Sequence, residues 1–167
     1  MDLSAREAAL YAELDRLGVR HRTAEHEAVF TVAESAPVKA RLPGGHAKTL
    51  LLRDKRDLFL LVALGAARVD LKGVARALGT DGRLSFADAD TLMATLGLTP
   101  GSVTPFALMH EGAGAIRTVV LDAGLLAHDP VWFHPLRNTA STALSPEALR
   151  AFCAAHARDV REMAVGA

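Results

Sequence analysis

The stretch KTLLLRDKRDLFLLVAL, residues 48–64, constrains the fold more than any other part of the chain. It contains two apolar runs, Leu50 to Leu52 and Leu58 to Leu64, separated by the charged insert RDKRD. Each run is of strand length, and the insert cannot be buried, so the pair reads as a β-hairpin. Leucine also favours helices, so the β assignment rests on run length and spacing.

Around this hairpin the elements are interspersed. SAREAALYAELDRLG places Ser4 and Glu7 at capping-box spacing and Leu10, Leu14 and Leu17 at helical intervals before stopping at Gly18, which predicts a first helix. In AVFTVAES, Thr31 and Glu34 repeat the capping-box spacing and predict a brief helix ending before Pro37. DLKGVARALG reads as a helix from Asp70 to Gly79, and RLSFADADTLMATLG as a short strand followed by a helix ending at Gly97. Strands are expected at Ile116 to Leu121 and Val131 to Phe133, and a last helix after Ser145 with Pro146 in its first turn. No regular β-α-β alternation is present. That pattern favours an α+β fold with a mixed or largely antiparallel sheet. At 167 residues the chain suits one domain, taken as 1–167.

Several functional classes lack support. Lys plus Arg and Asp plus Glu balance at 19 each, so no global field announces a nucleic-acid partner. The single cysteine, Cys153, cannot form a disulfide within the chain and shares helical spacing with Leu149, Phe152 and His156, which reads as a buried thiol. The charged N-terminus lacks a signal-peptide apolar block, and no window approaches the roughly 20 apolar residues of a membrane span. The expected location is cytoplasmic, without membrane contact. There is no GxSxG, no GxxxxGK[ST] and no three-glycine dinucleotide pattern. Seven histidines occur without HExxH or an i, i+4 pair, so no metal or other cofactor is expected.

What remains is a set of loops beside strands. PGGHAKT presents Lys48 at the start of the hairpin. LTPGSVTPF sets Gly101 between Pro100 and Pro105, a tight loop whose backbone N–H groups could face a ligand. FHPLRNTAST holds His134 and Asn138 around a proline turn. Each alone reads as an ordinary turn or a solvated charge.

Taken in order, EHEAVFTVAES, ARLPGGHAKTLLLRDKRDLFLLVAL, RLSFADADTLMATLGLTPGSVTPFALMHE, VVLDAGLL and FHPLRNTASTALS resemble the YbaK/prolyl-tRNA synthetase-associated domain family. The resemblance is greater to its free-standing ProX-type members, and covers roughly residues 25 to 155. It implies a mixed, mostly antiparallel sheet partly wrapped by helices, and hydrolysis in trans of the ester joining a wrong amino acid to tRNA-Pro. Alanine is the expected amino acid. Cys-tRNA-Pro is the rival substrate, and a nucleic-acid-binding module without activity is the rival class. Prolyl-tRNA synthetase or an elongation factor are further partners the resemblance allows.

The resemblance puts Lys48 at the site, contacting the terminal adenosine or its phosphate, with His134 lining it to fix substrate or water and Asn138 in support. Gly101, Ser102, Val103 and Pro105 would shape the amino-acid pocket, and Phe30 and Thr31 its size-selecting wall. An aminoacyl ester is already activated, so positioning can suffice without a protein nucleophile, and the substrate's own ribose hydroxyl could help activate water. Thr49 follows Lys48 where many members carry asparagine. From Lys39 to Arg56 six basic residues (Lys39, Arg41, Lys48, Arg53, Lys55, Arg56) face one acidic residue, Asp54. Apart from Lys48, these cations are candidates for contacting the tRNA acceptor stem.

Overall fold

The computed structural model describes residues 2–28 and 32–166. Helix α1 (Leu3–Arg16) is followed by strand β1 (Arg22–Glu25), α2 (Val32–Arg41), β2 (Gly45–Arg53) and β3 (Leu58–Leu64). Then come α3 (Leu71–Leu78), β4 (Ser85–Phe86) and α4 (Ala89–Leu96). Two 3-10 turns, Pro105–Met109 and Glu111–Ala115, lead into β5 (Ile116–Asp122), α5 (Ala123–Leu126), β6 (Val131–Phe133), β7 (Ala140–Leu144), α6 (Pro146–His156) and β8 (Val160–Met163).

The strands form one sheet in the order β1-β7-β6-β2-β3-β5-β8, with β4 added on β2. The pairs β1/β7, β6/β7, β2/β3 and β2/β4 are antiparallel; β2/β6, β3/β5 and β5/β8 are parallel. The fold is therefore α+β with a mixed, mostly antiparallel sheet.

The leucine hairpin forms as its spacing predicts, with Leu50 opposite Leu61 and Leu52 opposite Phe59. Period-2 alternation then sends β3 into two cores. Leu60 and Val62 join Leu51, Val119 and Leu121 under α1, α4 and α6, where Leu10, Leu14, Leu96, Leu149 and Phe152 are buried. Phe59, Leu61 and Ala63 join Leu52 and Val120 beneath α3, packed on Val74 and Leu78. A strand covered on both faces needs a continuous apolar run, which accounts for the unbroken LFLLVAL. In the insert, the carboxylate of Asp54 accepts the backbone N–H groups of Arg56, Asp57 and Asp81 and so folds the turn onto itself.

Three sequence expectations need correction. The cap of α1 is Asp2, which accepts from Ala5 N at 2.8 Å, and not Ser4. Glu7 is drawn away from any capping box by Tyr11 and Arg137. Helix α2 does not stop before Pro37 but contains it in its interior, where the proline forfeits one intrahelical hydrogen bond. The expected Thr31 cap lies outside the described residues, as does Phe30. Strands β1, β7 and β8 were not anticipated, since their short sequences carry few large apolar groups.

Candidate active site

The ladder between β2 and β6 is only two residues long, Gly45 with Val131 and His46 with Trp132. Beyond it the strands part. The residues that follow on each, Ala47, Lys48 and Thr49 on β2, Phe133 at the end of β6 and His134 just after it, line a cavity of about 340 Å³. Ser35, Val38 and Lys39 of α2, Gly101 and Val103 of the loop before the 3-10 turns, and His26, His46 and Ser141 complete the lining with Gly65 and Trp132.

Gly44 makes the entry into β2 possible. Its φ is +132°, and a Cβ there would stand 2.3 Å from the carbonyl oxygen of Pro130. The next residue, Gly45, donates its N–H to that same carbonyl at 2.9 Å. These contacts seat β2 against the loop before β6 and so fix where the two strands begin to separate. Gly101 likewise has a positive φ of 97°, which sets the turn at the opposite rim.

Lys48 is held by a hydrogen bond from Nζ to the carbonyl oxygen of Ala67. An ammonium has three N–H donors, so the lysine is positioned with donors to spare. His134 donates from Nδ1 to the carbonyl oxygen of Ala140 at 3.1 Å. That bond leaves Nε2 as the bare acceptor of the neutral ring. Burial holds its pKa below the usual 6.5, against the Ala140 hydrogen bond and with help from His26 and His46. His46 adopts the other tautomer, donating from Nε2 to Leu42 O at 2.6 Å, and stacks on Trp132 with ring centroids 6.2 Å apart. Its pKa is also lowered, again chiefly by burial. The turn after His134 is buttressed by Arg137, which binds Glu7 of α1 and Glu25 of β1 at 2.8 and 2.7 Å. Leu136 in that turn has φ +71° and is nevertheless buried.

Among the residues expected at a site, Lys48, Gly101, Val103 and His134 come together around the cavity, and Lys39 joins them. Pro105 does not: it starts the first 3-10 turn and is buried. Ser102 is outside the lining, its N–H turned to Thr99 O at 3.3 Å. Asn138 also lies outside the lining.

The expected tRNA-contacting cations divide into two groups. Lys39 and Arg41 end α2, where Arg41 pairs with Glu27 at 3.1 Å. Arg53, Lys55 and Arg56 sit at the far end of β2, at roughly 3.3 Å per residue on the order of 17 Å or more from Lys48 along the strand. Arg56 pairs there with Asp81 at 3.3 Å.

His26, His46 and Ser141 were missed as site residues. His46 was within reach, since it stands two residues before Lys48 and shares its face by strand period. Nothing in the sequence links His26 to Ser141. No group of three or more metal-binding side chains is found among the described residues.

A family model of the aminoacyl-tRNA editing domain matches residues 26–152. A prolyl-tRNA synthetase associated domain-containing protein 1 from Bos taurus is 38% identical over 145 residues, 84% of each chain. The prolyl-tRNA editing protein ProX of Acetoanaerobium sticklandii is 34% identical over 151 residues, 89% of this chain and 90% of its own. The solved structure of a candidate trans-editing enzyme for prolyl tRNA synthetase superposes with a TM-score of 0.76 at 20% identity over 97% of both chains, a likeness of fold.

With this fold and this cavity, the chain is of the tRNA-editing class. It belongs to the aminoacyl-tRNA editing domain family, and its enzyme class is that of an aminoacyl-tRNA deacylase. Among the described residues no helix is long and apolar enough to cross a membrane.

Proposed function

We propose that this chain, acting in trans as one editing domain, hydrolyses the ester of mischarged tRNA-Pro, with alanine as the amino acid removed. The observation that carries this reading is the convergence of Lys48, Gly101 and His134 from separate parts of the chain on one cavity. A synthetase pocket shaped for proline discriminates against a smaller side chain by only about 1–3 kcal/mol per missing methylene. A second, smaller pocket can therefore correct what the first admits.

In this reading Lys48, anchored on Ala67, uses its remaining N–H donors on the terminal adenosine or its phosphate and so orients the ester. His134 stays neutral at pH 7 and its bare Nε2 accepts a hydrogen bond from the substrate or the attacking water. Gly101 and Val103 shape the amino-acid pocket. Hydrolysis proceeds by direct attack of water, without a covalent nucleophile. Cys153 is unsuited to that role, since it is fully buried and burial pushes its thiol up to about 12. Lys39 beside the cavity is the cation best placed to meet the 3′ end, and the tip group of Arg53, Lys55 and Arg56 would meet the stem farther away.

The test is deacylation of Ala-, Cys- and Pro-tRNA-Pro by the wild type and Lys48→Ala. Ala-tRNA-Pro is expected to lose its amino acid quickly, Pro-tRNA-Pro to persist, and Lys48→Ala to be slower by about 10²-fold. Release of cysteine but not alanine would refute the substrate alone. Binding without turnover would favour a non-catalytic module.

A further inference from the structure

The cavity contains a hydrogen-bonded serine and histidine to which the reading above gives no role. His26 Nδ1 lies 2.7 Å from the carbonyl oxygen of Glu27, and His26 Nε2 lies 2.8 Å from Ser141 Oγ. A carbonyl oxygen can only accept, so in the neutral ring Nδ1 carries the proton and Nε2 the lone pair. The Ser141 hydroxyl then donates to Nε2. Its oxygen lone pairs remain to receive a proton from a group in the cavity.

Both partners are fixed. Ser141 is 6% exposed and is paired opposite Ala24 in the β1/β7 ladder. The backbone N–H of His26 donates to Thr139 O at 3.0 Å. The His26 ring lies beside that of His134, centroids 6.4 Å apart, so the pair is on the same side of the cavity as the histidine already assigned to the site. A hydroxyl hydrogen-bonded to an imidazole that a carbonyl orients is the arrangement by which enzymes draw a proton from the hydroxyl, the imidazole being the base.

We propose that Ser141 and His26 form the proton relay that activates the hydrolytic water, His26 being the terminal base. This rests on the hydrolase reading and supplies the base that reading leaves to the substrate. The water oxygen bonds to the ester carbonyl carbon as its proton passes to Ser141 Oγ and the Ser141 proton passes to His26 Nε2. Collapse of the tetrahedral intermediate breaks the bond to the ribose oxygen. That oxygen takes the proton back along the same relay, releasing the free amino acid and the tRNA hydroxyl with both side chains restored. The titratable groups sharing the cavity with His26 are His134, His46, Lys39 and Lys48. On its own segment Glu25 is bound by Arg137 and Glu27 by Arg41, so no unpaired carboxylate is aimed at the ring from that segment.

The experiment is single-turnover deacylation of Ala-tRNA-Pro from about pH 5 to 9, around the imidazole range, by wild type, His26→Gln, Ser141→Ala and Ser141→Thr. The wild-type rate is expected to rise through an imidazole ionisation and level off. His26→Gln should lose roughly 10²-fold or more and change the shape of the profile. Ser141→Ala should fall comparably, and Ser141→Thr, which keeps the hydroxyl, should recover most of the rate. A purely structural role would lower the rate without altering the shape of the pH profile, and that result overturns the relay. So would an acyl-serine adduct on Ser141 in acid-quenched reactions, which would make the serine a nucleophile. Nitrogen NMR of labelled histidine provides a check independent of variant stability: a protonated His26 Nε2 in the neutral ring overturns the proposal. An inactive wild type removes the hydrolase reading and the relay together, whereas an active wild type with an unchanged His26→Gln profile removes the relay alone.

Discussion

Gly44 carries more of the site than its size suggests. A methyl group there would meet the Pro130 carbonyl oxygen at 2.3 Å in a backbone conformation that side chains rarely adopt. Gly44→Ala is therefore expected to cost more than about 1 kcal/mol and to shift β2 relative to β6. Urea unfolding would give the stability, and deacylation by the same variant would fall beyond what the unfolded fraction explains. Lys48 was visible in the sequence only as a charge before leucines. Its meaning comes from Ala67, Gly101 and His134, which are distant in the chain, and no local pattern encodes such a meeting. The histidine two residues earlier was more legible, because strand period alone places it beside the lysine. His26 and Ser141 were not legible at all, since only the β1/β7 register brings them together.

At the scale of elements, the apolar runs that became β2 and β3 were readable because burial on two faces demands unbroken hydrophobicity. Strand β7 hid for the opposite reason. ASTAL is entirely buried between β1 and β6 yet made mostly of small and polar residues, so it carries no run of large apolar side chains to announce a strand. The turn that carries His134 is tied to α1 and β1 by Arg137, whose guanidinium serves two carboxylates at once. Glu7 illustrates the balance. Burial pushes its carboxyl up, and the Arg137 and Tyr11 hydrogen bonds together outweigh it, leaving the pKa below the usual value. Arg137→Ala should destabilise the protein by about 1–2 kcal/mol, read from the urea midpoint. It should also slow deacylation, because the turn behind His134 loses its ties to both neighbouring elements.

For the whole molecule, pH separates the site from the scaffold. His46 and His134 have lowered pKa values in the folded protein, so the unfolded chain takes up protons first as pH falls. The stability they contribute is intact above their ordinary value of 6.5 and is lost as pH drops below it toward the folded values. Carboxylates held down by their partners, such as Glu7 and Asp54, lose their contribution only below 4.5 and 3.8. Unfolding midpoints measured from neutral to mildly acidic pH should therefore fall in two stages, and His134→Gln should shrink the first while leaving the second in place.

The brief β2/β6 ladder has a consequence for how such a cavity can diversify. Two strands that share one rung pair and then diverge behave like a pair of tongs with its pivot at His46 and Trp132. Lys48 stands on one arm and His134 on the other, so any change at the pivot that alters the gape also alters the distance between them. Cavity size and the spacing of the groups on the two arms are thus coupled through the pivot, and a refit to a side chain of another size falls to the rim, where Gly101 and Val103 stand on neither arm.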